Sequence, residues 1–129
     1  MPVPFAPALN DLLVNLPSGA QTAGSNIIFS TNQVTYMALD INVTAFTGGT
    51  GPTVVFAIDR FGADGVYYNV WSLSVGSPTT FTFDLGPGFP NSPGINGTQH
   101  AVFTAQGRFR WSFTGAPTSV TFSASILGR

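Results

Sequence analysis

The sequence predicts an all-β protein: a single antiparallel β-sandwich, jelly-roll-like or Greek key, with an extended N-terminal arm. Three observations predict it. From Val34 to Val75 apolar and polar residues alternate, with Met37, Leu39, Ile41, Val43 and Ala45 on one side and Tyr36, Asp40, Asn42 and Thr44 on the other. A period of two is that of a strand with one face on a core and one in water. Lys and Glu, strong surface helix formers, are absent, while Thr, Val, Phe, Gly and Pro are abundant. Finally, eight or nine short runs recur at regular spacing between turn residues, with no helical period and no internal repeat.

In chain order, residues 1–10 form the arm and 11–129 the sandwich. PVPFAPALN carries three prolines within six positions. Proline fixes φ and removes a donor, so this piece is expected to be extended and unpaired within its own sheet. Nine residues reach about 30 Å, enough to cross onto another subunit. Phe5 and Leu9 supply apolar surface worth about 1.5–3 kcal/mol each on burial. DLLVNL is a first strand, PSGAQTAGSN a turn-rich connection, and NIIFS a second strand. Three strands of an antiparallel meander follow, joined by TGGTGP and by the Asp64-Gly65 turn, both hairpin chemistry. TTFTFDL alternates again. GPGFPNSPGINGT (86–98), with three prolines and four glycines, is expected to be a long surface loop that makes contacts through Phe89 and Ile95. QHAVFTA, GRFRWSF and SVTFSASIL complete the set. Phe109, Trp111 and Phe113 face inward, and Arg108 and Arg110 outward. The expected core is Leu39, Ile41, Val43, Phe56, Phe81, Phe83, Phe109, Trp111, Phe113, Val120, Phe122 and Ile126.

At 129 residues the chain is one domain by size. All four cations are Arg, all five acids are Asp, and the net charge is −1, so no basic stripe for nucleic acid exists. Only 7% of residues are charged, a surface poorly defended against association and suited to being covered. Without Cys there is neither a disulfide scaffold nor a thiolate metal site. The first residues lack the pattern of a secretory signal, and no apolar run approaches the ~20 residues of a membrane span.

Chemistry-bearing patterns are sparse. His100 is the lone histidine, and no nucleophile motif accompanies it. Asp40 and Asp59 fall on neighbouring strands and could approach each other as a carboxylate pair, but strand-face aspartates are ordinarily solvated. Asp40, Asp59 or Asp64 with loop carbonyls would suit a hard cation, although no calcium-loop motif is present. Asn42 and Asn96 begin glycosylation sequons that carry no weight without a secretory signal. Tyr67, Tyr68 and Trp71 with Arg60 could form an aromatic platform for sugar; an interface or core role is favoured over it. No residue is assigned to catalysis, a cofactor or a metal. Phe5, Leu9, Phe89, Ile95 and Arg110 are the candidate partner-binding residues.

Several stretches together resemble small β-sandwich virion proteins of tailed bacteriophages. In those a V-T-A-V-S-G-T-x-P-T-L-x-V hairpin, an S-P-D-G turn before Trp and a W-x-x-x-G-x-x-P-S-x-T-F-S-V-x-L close recur. Here Val43 to Gly48 with Pro52-Thr53-Val54 match the hairpin, Ala63-Asp64-Gly65 stands for the turn, and Trp111 to Leu127 match the close. The likeness spans residues 11–127; the 86–98 loop and the PVPFAP arm depart from it. It implies a non-enzymatic structural protein of the virion, assembled in the bacterial host cytoplasm. Capsid decoration outside the major capsid shell is the first expectation, and a minor tail or fibre protein the second. The implied partners are the major capsid protein and the chain itself, a homotrimer being favoured, with no nucleic acid, membrane or cofactor. A carbohydrate-binding sandwich module is the alternative from another class, so a weak glycan contact stays open.

Overall fold

Alternation of side chains on successive residues builds nine strands, described here in a computed structural model covering residues 11–32, 34–92 and 96–129. They are β1 (Asp11–Gln21), β2 (Ser25–Ser30), β3 (Met37–Thr47), β4 (Thr53–Phe61), β5 (Tyr67–Val75), β6 (Thr79–Gly86), β7 (Asn96–His100), β8 (Gln106–Thr114) and β9 (Ser119–Gly128). No helix occurs among the described residues. The strands form two sheets, β1-β9-β3-β6-β7 and β2-β8-β4-β5. β4 pairs with β5, β3 with β6, β2 with β8 and β1 with β9, all antiparallel. That nesting is a long hairpin rolled onto itself, the jelly-roll form of the predicted sandwich.

Three local expectations are corrected. The Val34–Val75 stretch is not a three-stranded meander, because β3 lies in the five-stranded sheet and β4 and β5 in the other. TGGTGP is therefore an arch between sheets. Gly48, Gly49 and Gly51 have φ of 73°, 79° and 53°, the left-handed region that glycine enters without a Cβ clash. Alternation reports which face is buried but not which sheet a strand joins.

PSGAQTAGSN is also not a connection up to Gln21, since β1 continues through Pro17 with register shifts at Leu12/Val14 and Leu16/Gly19. β1 is an edge strand, where a proline meets a bulge without breaking the ladder. Lastly, 86–98 ends as strand: β7 begins at Asn96 and runs parallel to β6, an arrangement the all-antiparallel expectation missed. The Asn96 Oδ1 accepts the Thr82 amide at 3.0 Å and so starts that pairing.

The core lies between the sheets, and Phe56 is its centre. Its ring is 6.0 Å from Phe81 and 5.0 Å from Phe122, both in the opposite sheet, and 6.0 Å from Phe109 in its own. Phe122 also meets Trp111 edge-on at 5.5 Å. Every expected core residue is buried except Phe113, which is half-buried at the edge of the cluster. Met37, Ile58, Leu85 and Trp71 join them. Trp71 packs on Phe83 at 5.2 Å, so it is a core residue and no part of a surface platform.

Trp111→Ala removes a buried ring and the indole bond to the Ala23 carbonyl, 3.2 Å. A cost of about 3–5 kcal/mol is expected, as for large aromatic truncations. Chemical denaturation checks it through a lower midpoint at an unchanged slope.

Candidate interaction surfaces

Two outer sheet faces and two ends remain once the core is closed. On the four-stranded sheet, β4 lies between β8 and β5, so its outward residues have neighbours on both sides. Asp59 is opposite Arg108 on β8 and Asn69 on β5. Although it points outward, it is only 1% exposed. The Arg108 Nε donates to its Oδ2 at 3.0 Å, and the Arg110 Nε donates to the same oxygen at 2.7 Å. A second Arg110 nitrogen reaches Oδ1 at 3.3 Å. A register shift between Ile58 and Asp59 turns Asn69 toward the cluster, and its amide donates to Asp59 Oδ1 at 3.1 Å and to the Trp71 carbonyl at 3.0 Å. Arg108 also lies over the Tyr67 ring, 4.1 Å from its centroid, while Gln106 bonds the Tyr67 hydroxyl.

Burial pushes the Asp59 carboxyl upward, but the hydrogen bonds from Arg110, Asn69 and Arg108 outweigh it and hold it below its ordinary value of 3.8. The cluster is a clamp across β4, β5 and β8. Arg110, expected as a partner-binding side chain, holds the buried Asp59 carboxylate while 39% of its side chain stays exposed. Its parity was read correctly, and the buried acid it serves was missed. The signal was available: Asp59 directly follows the apolar run TVVFAI within one strand, and two arginines alternate on another strand.

The five-stranded sheet carries a different outer face. Asn15, Asp40, Asn42, Thr80, Thr82 and Ser125 line a trough of about 460 Å³. The Thr80 hydroxyl donates to the Asn42 side-chain oxygen at 2.8 Å. Near Asp40, at the start of β3, a pocket of about 480 Å³ is lined by Tyr36, Ala38, Asp84, Phe89, Leu127 and Arg129. Phe89 is half-buried there, its ring 5.3 Å from Tyr36. Gly86 permits this, because a Cβ at that position would collide with the Tyr36 ring.

The remaining candidates are not brought together. Asp40 and Asp59 stand on the outer faces of different sheets, with the core between them, so the expected approach is overturned. Asp64 caps the β4–β5 turn, accepting from the Val66 amide at 3.1 Å and from the Tyr68 hydroxyl. Those bonds, Tyr68 first, lower its pKa. No group of three metal-ligating side chains occurs among the described residues. Tyr67, Tyr68 and Trp71 split between the outer face, the β4–β5 end and the core, and no platform forms. The His100 Nδ1 accepts the Gly88 amide at 3.0 Å, and its own amide donates to Asn91 at 3.1 Å, which ties the 86–98 loop to β7. Phe5, Leu9 and Ile95 lie outside the described residues.

The two ends of the sandwich differ. The end formed by the start of β1, the 31–36 and 101–105 segments, the β4–β5 turn and the residues after β6 carries Leu12, Tyr36, Val66, Tyr68 and Val102. All five are exposed large hydrophobics. Segment 101–105 is held there by the Thr104 hydroxyl on the Phe61 carbonyl, 2.6 Å, and by the Thr31 amide on the Ala105 carbonyl, 3.0 Å. Among the described residues the opposite end, at 22–24, 48–52, 76–78 and 115–118, exposes no such side chain.

No family model matches the chain, and no curated protein matches it. A solved structure described as "CBM4 structure and function" superposes with a TM-score of 0.49 at 12% identity, over 86% of this chain. Another, described as "Structural analysis of an exo-beta-agarase", gives 0.39 at 11% identity over 96% of this chain. The chain spans 65% of the first and 23% of the second. Both likenesses are loose ones of strand layout and bear on nothing beyond it.

Because the folded pKa of Asp59 is depressed, its contribution to stability is fully present above 3.8 and is lost as pH falls through the folded value. Asp59→Asn leaves two arginines facing a neutral amide, at a cost toward the low end of the ~3–5 kcal/mol for breaking a buried pair. It should also flatten the fall in stability below pH 3.8. Arg110→Ala should destabilise as well. Urea midpoints of the three proteins between pH 7 and pH 2 check both.

Proposed function

We propose that the chain is a non-enzymatic structural protein of a tailed-bacteriophage virion, a decoration protein seated on the outside of the major capsid shell. The observation that carries the proposal is the distribution of its surface chemistry. Apart from the Asp59 cluster the outer faces are clothed mainly in Thr, Ser and Asn, and of the six exposed large apolar side chains among the described residues all but Ile28, on β2, gather at one end. Such an end favours attachment, because exposed Tyr and branched aliphatic side chains anchor interfaces once desolvated. The motif resemblance over residues 11–127 supplies the kind of particle. The separation of Asp40 from Asp59, and the use of His100 Nδ1 by loop backbone, agree with a role without catalysis. The major capsid protein and further copies of the chain are the partners, and a minor tail or fibre position is the variant within the same class.

A second proposal rests on a specific feature, the trough and its neighbouring pocket. Paired amide and carboxylate groups beside an aromatic edge suit the hydroxyls and apolar faces of a neutral glycan. Such a site would use Tyr36, Asp84, Asp40 and Asn42.

Mixing purified protein with empty capsids separates the two. Decoration predicts saturable, stoichiometric co-sedimentation that survives Asp40→Ala combined with Asn42→Ala, both on the trough and away from the apolar end. Absence of capsid binding, with retention on immobilised polysaccharide that this double variant abolishes, would favour the glycan proposal.

A further inference from the structure

We infer that the apolar end of each sandwich receives the N-terminal segment of a second copy of this chain, so that copies associate by exchanging residues 2–10. The inference does not rest on the virion proposal, since it concerns the free protein.

Its first support is position. Residues 1–10 enter the fold at Asp11, and β1 begins at the same end that exposes Val66, Tyr68 and Val102. These are 51%, 46% and 48% exposed, whereas the opposite end exposes no large apolar side chain among the described residues. Leu12, 57% exposed, continues the apolar character of the segment into the first strand.

Chemistry is the second support. Pro2, Pro4 and Pro7 cannot donate ladder bonds, so this segment is unsuited to extending a sheet edge. Proline-rich segments dock instead on aromatic-lined surfaces through side-chain contact, with little entropy to lose. Phe5 and Leu9 on one side and Tyr68, Val66 and Val102 on the other are complementary in that sense. The segment itself carries no charged residue, and Asp64, bonded to the Tyr68 hydroxyl and the Val66 amide, is a charge beside the surface.

Length decides whose end is occupied. Nine residues reach about 30 Å, on the order of one small domain's width. A stiff Pro-rich stretch that starts at the rim of its own sandwich is poorly shaped to double back within six residues. It is well placed to cross to the corresponding end of a neighbour. Copies packed side by side with these ends pointing the same way make a head-to-tail contact that closes into a ring.

The absence of cysteine makes the test clean. Phe5→Cys and Val102→Cys are made singly and together, with Thr118→Cys at the opposite end as the control site. Under mild oxidation an equimolar mixture of the Phe5→Cys and Val102→Cys proteins should yield a disulfide-linked dimer of one of each, and the double variant covalent oligomers. Phe5→Cys mixed with Thr118→Cys should give neither above background. Deleting residues 2–10 should lower the mass in light scattering to that of one chain while shifting the melting temperature by no more than a few degrees. Three outcomes would each overturn the inference: a double variant that closes only within one chain, cross-linking no better at Val102 than at Thr118, or a truncated protein of unchanged mass.

Discussion

The structure depends on the packing of Phe56 against rings from both sheets. Phe81 and Phe122 approach it from one layer and Phe109 from its own, all fully buried. Once that contact is made, the parity of β3, β4, β6, β8 and β9 is set, because a slip of one residue turns each strand's apolar set to water. The Thr, Ser and Asn that alternate with the core residues are outward by consequence. Core and surface are therefore one decision, and what the protein offers its surroundings is the remainder of that decision.

Asp59 is the exception that this parity produces. Its outward place on a central strand is covered by side chains from both neighbouring strands, and a carboxylate in such a place must be paired. Arg108 and Arg110 supply the charge, and the irregularity in β5 supplies the Asn69 amide. Hydrophobic residues of similar size would hold the strands at least as well. The clamp instead requires three particular strands in one register, which an apolar patch would not demand. In a chain with 7% charged residues, a third of the charges gathered on one face is a strong concentration.

Much of the fold was legible because strand parity is written in the residue types themselves. Leu39, Ile41, Val43, Phe109 and Trp111 face inward as their alternation required. Partnering between strands was not legible. The TGGTGP glycines serve a hairpin and an arch equally well, so β3 and β4 read as neighbours although they belong to different sheets. That one error also brought Asp40 and Asp59 together on paper. Pro17 read as a break because an edge strand tolerates what a central one does not, and edge position is a property of the whole sheet. The surfaces were harder still. Arg110 showed its face but not its buried partner, and the collection of Val66, Tyr68 and Val102 at one end arises from connections far apart in sequence.

On the proposed reading binding falls at one end of the sandwich, and its faces are left to solvent or to lateral neighbours. Backbone amides at 62–68 and 101–105 belong to that end, whereas those of Asp40, Asn42, Thr80 and Thr82 lie on the trough face. Hydrogen exchange of the full-length protein, compared with that of the chain lacking residues 2–10, tests this most directly. Slower exchange in the full-length protein confined to 62–68 and 101–105 is the predicted result. Slowing concentrated on the trough face, with the apolar end unchanged, would contradict it.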